Sequence, residues 1–310
     1  MSESKIRRYK LRDIHGIVLL DKPEGMTSNA ALQTVKRLFS AKKGGHTGSL
    51  DPLASGMLPL CFGDATKVSG FLLDADKRYQ VTIKLGVRTS TGDAEGEVIA
   101  VKAVKSIDHD VLLAVLRRFT GEIEQIPPMH SAIKHQGRPL YKLARLGIEV
   151  ERKARQVIIH ELCLLNSEEN ILEVEVACSK GTYIRTLAQD IGDALGVGAH
   201  VAKLRRVATG PFRAEQMIPL TRLEMAARED FCSLELFLLP IEAALERWPE
   251  VCLSDILAHY LRQGQAVFVP RAPTQGLVKL RTADHRFLGV GRVLDDGRIA
   301  PKRLISGLRG

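Results

Sequence analysis

Apolar residues along this chain fall into two rhythms. Tyr79, Val81, Ile83 and Leu85 alternate with Gln80, Thr82 and Lys84, which predicts a half-buried strand. Leu172, Val174, Val176 and Cys178 alternate with Glu173 and Glu175 in the same way. The second rhythm is helical. Leu32, Val35 and Phe39 share one face after a capping pair, Thr27 and Ser28. Leu112, Val115, Leu116 and Phe119 mark another helix, and Ile184, Leu187, Ala188, Ile191 and Leu195 a third, stopped by Gly196. Gly16 to Leu20 is a continuous apolar run that predicts a buried strand, closed by turn residues from Asp21 to Gly25. Residues 214–248 read as a helical connector.

From about Val251 the pattern changes. Strand-like pieces near 277–281, 286–293 and 297–304 are separated by Ala283-Asp284-His285 and by Asp295-Asp296-Gly297. Asp-Gly between apolar runs is a strong hairpin signal. The pattern predicts an α+β chain: a mixed, largely antiparallel central sheet with flanking helices over residues 10–250, then a small β-rich domain over 251–310. Neither an internal repeat nor a low-complexity segment interrupts it.

Length agrees, because 310 residues suit one large domain or two unequal ones. Hydrophobic residues at 45% and charged residues at 26% exclude wholesale disorder. No apolar run near the N-terminus suggests a signal peptide, and none approaches the roughly 18 residues of a membrane span. A cytoplasmic protein is expected. The five cysteines are scattered with no CxxC pair, so buried free thiols are expected. The nine histidines include no HExxH, and a bound catalytic metal is not expected.

Charge changes the picture more. The formal net charge is +9, and it is regional. Residues 129–155 carry +5 and residues 251–310 carry +6, leaving −2 on the other 223 residues. Such patches suit a polyanion, although a merely solvated basic face has the same signature.

One stretch has no periodicity. Gly44-Gly45-His46-Thr47-Gly48-Ser49-Leu50-Asp51-Pro52-Leu53-Ala54-Ser55-Gly56 reads as a loop of about 13 residues, a length more often functional than accidental. Pro52 biases Asp51 toward an extended backbone. His46, Lys42 and Lys43 nearby would attract an anion and keep a carboxylate charged. An Asp making an ordinary turn hydrogen bond fits the same residues. These features alone name no reaction.

Longer motifs do. Leu19-Leu20-Asp21-Lys22-Pro23-Glu24-Gly25-Met26-Thr27-Ser28, followed by Gly45 through Gly56, closely resembles the TruB family of bacterial tRNA pseudouridine-55 synthases. The likeness continues through Lys77-Arg78-Tyr79, Gln125 to Lys134, Ser179 to Leu187, Ala199-His200-Val201 and Leu204-Arg205-Arg206. It covers about residues 16–213 and is weaker in the C-terminal part, which resembles a PUA-type RNA-binding domain.

The resemblance implies isomerisation of a tRNA T-loop uridine to pseudouridine, with no cofactor and no metal. It implies Asp51 as nucleophile, Arg185 as its partner and Tyr79 against the uracil, all three catalytic. It implies His46 as a wedge filling the space of the flipped base, with Tyr183 and Leu204 lining the pocket. Lys22, with Pro23, is expected to pack beneath Tyr79 and assist substrate binding. Arg185 as an ordinary surface arginine, and Tyr79 as a core aromatic, fit the same positions. An RNA-contacting insertion is expected at about 124–155, its phosphate partners Lys134, Arg138, Lys142 and Arg145, joined by Arg152, Lys153 and Arg155. The acidic run Thr89 to Glu97 fails a calcium-loop pattern and reads as a surface turn, from which Asp93 can help order the cleft. The expected partner is the tRNA T-arm and acceptor stem, met by a monomer needing no protein partner. A synthase for another RNA and a tRNA-folding chaperone are the alternatives.

Overall fold

The structure is a computed structural model that describes residues 11–131 and 133–305. The chain opens with β1 (Gly16–Lys22), α1 (Ser28–Leu38), β2 (Gly44–His46) and β3 (Ser55–Phe62). Then follow α2 (Ser69–Asp74), β4 (Lys77–Leu85), β5 (Val87–Thr89), β6 (Val98–Val101), α3 (His109–Arg118) and β7 (Gly121–Gln125). A small arm carries β8 (Lys134–His135), β9 (Arg138–Pro139) and α4 (Leu140–Ala144). The chain returns through β10 (Arg155–Glu168), β11 (Ile171–Cys178), α5 (Ile184–Ala194) and β12 (Ala199–Thr209).

The central sheet runs β1-β3-β12-β4-β11-β10-β7, with β2 alongside β3. Most pairs are antiparallel, and β12 with β3 is parallel. Register explains why the sheet holds. Val81 lies opposite Val174 on one side and Leu204 on the other, and Ile83 lies between Leu172 and Val201. All six side chains are buried, and each contributes roughly 1.5–3 kcal/mol. Ala31, Leu32 and Val35 of α1, Leu112, Val115 and Leu116 of α3, and Leu187, Ala188 and Ile191 of α5 cover the same apolar face. Thr27 caps α1 as its sequence suggests, accepting a hydrogen bond from the Ala30 amide at 3.1 Å.

β13 (Phe212–Arg213) pairs with β12 and β14 (Ile218–Pro219) with β1. The connector is helical: α6 (Leu220–Glu229), α7 (Phe231–Glu235) and a 3₁₀ turn, Ile241–Leu245. The C-terminal unit holds β15 (Glu250–Leu253), α8 (Asp255–Arg262), β16 (Leu277–Thr282), β17 (Phe287–Val293) and β18 (Ile299–Leu304) in a four-stranded sheet of that strand order. It has its own core, but Phe287, Val290 and Ile305 share a second core with Ile17, Leu19, Met57 and Phe212. The two units are therefore packed together.

Two expectations need correction. The 44–56 stretch is not all loop: residues 44–46 pair with β3, and Ser55 and Gly56 already belong to β3. The cysteines are free, but only Cys61 and Cys178 are buried. Cys163, Cys232 and Cys252 are exposed. Cys163 and Cys252 lie at outward positions of their strands, which strand alternation permits for a small side chain.

Candidate active site

Asp51 sits in the short loop between β2 and β3, and the loop is held from several sides. The Ser28 hydroxyl at the start of α1 accepts from the Leu50 amide at 2.7 Å and donates to the Leu50 carbonyl at 3.0 Å. On the other flank the Pro52 carbonyl accepts from the Gly25 amide at 2.8 Å and from Lys22 Nζ at 3.4 Å. Leu50 itself is buried. The Asp51 side chain keeps 42% of its surface open while its backbone neighbours are fixed.

Arg185, in the first turn of α5, holds that carboxylate. Its Nε lies 3.1 Å from Asp51 Oδ2. Its Nη1 lies 3.3 Å from Asp93 Oδ2 and donates to the Thr91 carbonyl at 3.1 Å. Its Nη2 donates to the His130 carbonyl at 2.7 Å. Every guanidinium nitrogen is engaged, so the planar fork has one orientation. The side chain is 8% exposed and that of Asp93 4%. Arg185 is thus a buried bridge, not a surface arginine. Asp93 is the residue the sequence undervalued. Its other oxygen, Oδ1, accepts from the Thr91 hydroxyl and the Glu95 amide, so the acidic turn is built around Arg185.

Burial raises the Asp51 carboxyl above its ordinary value, while Arg185 acts in the opposite sense. Asp93 adds to the rise and Lys22 opposes it. Lys22 is fully buried, so any part it plays in substrate binding is indirect. Its ammonium bonds the carbonyls of Pro23 and Met26 at 2.8 and 2.7 Å as well as Pro52, which makes it a prop for the Asp51 loop. Burial pushes its pKa down to about 8.

Tyr79 lies partly buried at the start of β4, packed on the central core. Burial raises its phenol, and Arg206 works against that rise. Arg206 faces Tyr79 across the β12–β4 pair. Leu204 is buried on the same strand, opposite Val81. Tyr183 is half-buried at the N-terminal end of α5, and Gln125 grips its backbone from both sides. The Gln125 amide donates to the Tyr183 carbonyl at 3.2 Å, and its oxygen accepts from the Tyr183 amide at 2.9 Å. Nothing in the sequence pattern marks Gln125 for that task. His46 ends β2, half-buried, with an Nδ1 that has no partner among the described residues. Burial and Arg206 both lower its pKa, which favours the neutral ring. A neutral ring fits a filling role better than acid catalysis.

The basic insertion is a separate arm. Lys134, Arg138, Lys142 and Arg145 are exposed on it, as are Lys153 and Arg155. Arg145 stacks over Tyr141, and Arg152 is half-buried, bonding the Pro127 carbonyl and Glu149. None of these side chains reaches Asp51. The arm connects to the site through the His130 carbonyl on Arg185. Among the described residues no three His, Cys, Asp or Glu side chains are arranged to hold a metal ion. None of their helices is long and apolar enough to cross a membrane. A cleft of about 480 Å³ lined by Phe71, Arg78, His160 and Trp248 shares no residue with the Asp51 site.

The chain is 58% identical to a tRNA pseudouridine synthase B of Nitrosococcus oceani, over 99% of both proteins. It is 54% identical to those of Coxiella burnetii and Pseudomonas putida, covering 95% and 97% of this chain and 96% and 99% of theirs. The crystal structure of a Cbf5-Nop10-Gar1 complex contains a chain 27% identical with TM-score 0.75, covering 94% of this chain and 84% of that one. An H/ACA RNP bound to a substrate RNA containing 2′-deoxyuridine has a chain 25% identical with TM-score 0.74, covering 95% and 86%. Residues 185–246 match the tRNA pseudouridylate synthase B C-terminal domain, and residues 249–305 match the Pseudouridine synthase II TruB C-terminal region. With residues 36–184 matching the N-terminal domain of that same family, the chain belongs to the TruB family of pseudouridylate synthases.

Proposed function

We propose that this protein converts the uridine at position 55 of the tRNA T-loop into pseudouridine. The observation that carries the reading is Asp51: a carboxylate partly open to solvent, on a pinned loop, oriented by a buried Arg185 that Asp93 fixes from behind. An isomerisation of this kind breaks the N1–C1′ bond and forms a C5–C1′ bond. The C5 proton leaves and N1 gains one, so no electron is transferred and no cofactor is consumed.

Asp51 serves as the nucleophile, since an ionised carboxylate can form and release a covalent bond to the ribose or base. Arg185 holds the carboxylate in its charged form and in one direction. Tyr79 offers a face for the loosened uracil and a phenol for the proton at C5. The T-loop base is stacked before reaction, so it is flipped out at a cost of a few kcal/mol, and neutral His46 fills its place. Leu204 and Tyr183 bound the base. The exposed arm and the basic C-terminal unit, which resembles a PUA domain, hold the T-arm and acceptor stem through phosphates and position rather than specify. A cytoplasmic monomer suits this task.

The exposed arm also favours a second reading, in which the protein remodels tRNA without chemistry. Asp51→Asn separates the two. Position-specific mapping of pseudouridine in one bacterial tRNA should show none at position 55 with this variant, while tRNA binding stays within about threefold. Turnover by the Asn variant would overturn the nucleophile assignment. An inert wild type that still promotes tRNA folding would favour remodelling.

A further inference from the structure

Among the described residues Arg206 is the largest fully buried side chain, 1% exposed. Among the described residues it forms no ion pair: two of its donors go to neutral carbonyls, and its side chain also hydrogen-bonds the Tyr79 phenol. Nε donates to the Met57 carbonyl at 2.7 Å, and Nη2 donates to the Gly48 carbonyl at 3.0 Å. Gly48 lies on the N-terminal limb of the loop that carries Asp51, and Met57 lies just after its C-terminal limb. Gly56, between them, is in parallel register with Arg206, and a Cβ there would stand 2.3 Å from the Arg206 carbonyl oxygen. One residue therefore closes the mouth of the loop with backbone and side chain together.

Burying an arginine without a carboxylate is expensive. Tying two carbonyls would need only neutral donors. The charge itself therefore calls for an explanation, and its neighbours supply one. Tyr79 lies directly opposite on β4, on the same face of the sheet. The cation disfavours protonation of His46, Lys22 and Lys77 and favours loss of the Tyr79 and Cys178 protons.

We propose that Arg206 is a positioning residue for the reaction, its guanidinium clamping both limbs of the Asp51 loop and setting that loop against the Tyr79 phenol. This deepens the pseudouridine synthase reading and rests on it. Arg206 does not touch the substrate. It fixes the relation between two groups that do.

The test uses the full chain and one bacterial tRNA. Single-turnover rates at saturating enzyme are measured across pH for wild type, Arg206→Met and Arg206→Lys, with tRNA affinity and thermal unfolding alongside. Arg206→Met should lower the rate about 100-fold, the loss expected from a displacement near 1 Å, with tRNA affinity within about threefold. Its rate profile should also move toward higher pH, because five nearby groups, Lys22, His46, Lys77, Tyr79 and Cys178, lose the cation that holds their protons off. Arg206→Lys keeps the charge and loses the fork, so it should restore the profile but only part of the rate. Folded variants with wild-type rate and profile overturn the proposal. So does a rate loss that merely tracks the unfolded fraction with an unmoved profile. If Arg206→Met does not fold, Arg206→Lys decides: slow turnover at an unchanged unfolding temperature supports the clamp, and a wild-type rate refutes it. A wild type that leaves uridine unchanged overturns the pseudouridine reading and the role of Arg206 with it. A working wild type with indifferent Arg206 variants overturns only the latter.

Discussion

Replacing Arg185 by Gln removes the cation between two carboxylates, and the structure treats those carboxylates differently. Asp93 is 4% exposed at the side chain, whereas Asp51 is 42% exposed. Loss of a partner strands Asp93 as a buried charge, at about 3–5 kcal/mol. Asp51 can be hydrated, and its share is within about 1 kcal/mol. At roughly 2 °C per kcal/mol for a chain of this size, Arg185→Gln should lower the unfolding temperature by about 6–10 °C. Asp51→Asn should move it by less than about 2 °C. The double variant Arg185→Gln/Asp93→Asn should regain much of the stability but not the activity, since Asp51 still lacks its orienting fork. Residual turnover by Arg185→Gln should need higher pH, because the cation that opposes burial at Asp51 is gone. Calorimetry and urea titration read the stabilities, and a tritium-release or mapping assay reads the turnover. Equal destabilisation by Asp51→Asn and Arg185→Gln, or a double variant no more stable than the single, would refute the division of labour between the two carboxylates.

Three further outcomes are expected. Lys22 has a pKa near 8 in the fold against 10.5 in an exposed chain, so between these values the unfolded state binds more protons. Its contribution to stability therefore rises with pH across that window, while the charged prop under the Asp51 loop is lost, so turnover should fall above pH 8 without loss of unfolding resistance; a parallel fall in both would contradict this. Changing Lys134, Arg138, Lys142 and Arg145 together to Gln should reduce the slope of log affinity against log salt by about three, read by filter binding from 50 to 300 mM salt, roughly the range where such slopes are steep. Gly56 has φ +96° and no room for a Cβ, so Gly56→Ala should cost at least about 2 kcal/mol in urea titration and lower turnover more than tRNA affinity.

What could be read from the chain, and what could not, divides along one physical line. Alternation at Val81 and Ile83, the helical stripe of α5 and the Asp-Gly turn near residue 297 are local signals, and each element formed where its period placed it. The pairing of Asp51 with Arg185 was legible through the motifs around them. The grip of Gln125 on Tyr183 and that of Asp93 on Arg185 were not, because each joins residues 58 and 92 positions apart. Arg205 and Arg206 show the missing information most clearly. They are adjacent and identical, and alternation only says that they point to opposite faces. Arg205 makes a bidentate pair with Asp21 at 3.0 and 2.8 Å and stays 39% exposed, while Arg206 is buried. Which arginine is buried depends on the pairing of β12 with β4. Tyr79 shares a face with Val81 and Ile83, so that face is apolar, and Arg206 lies opposite Tyr79 in that register. A slip of one residue would have buried Arg205 and exposed Arg206, separating the Asp51 loop from its clamp. Strand register, rather than residue type, therefore decides which of two identical side chains is buried against the Asp51 loop.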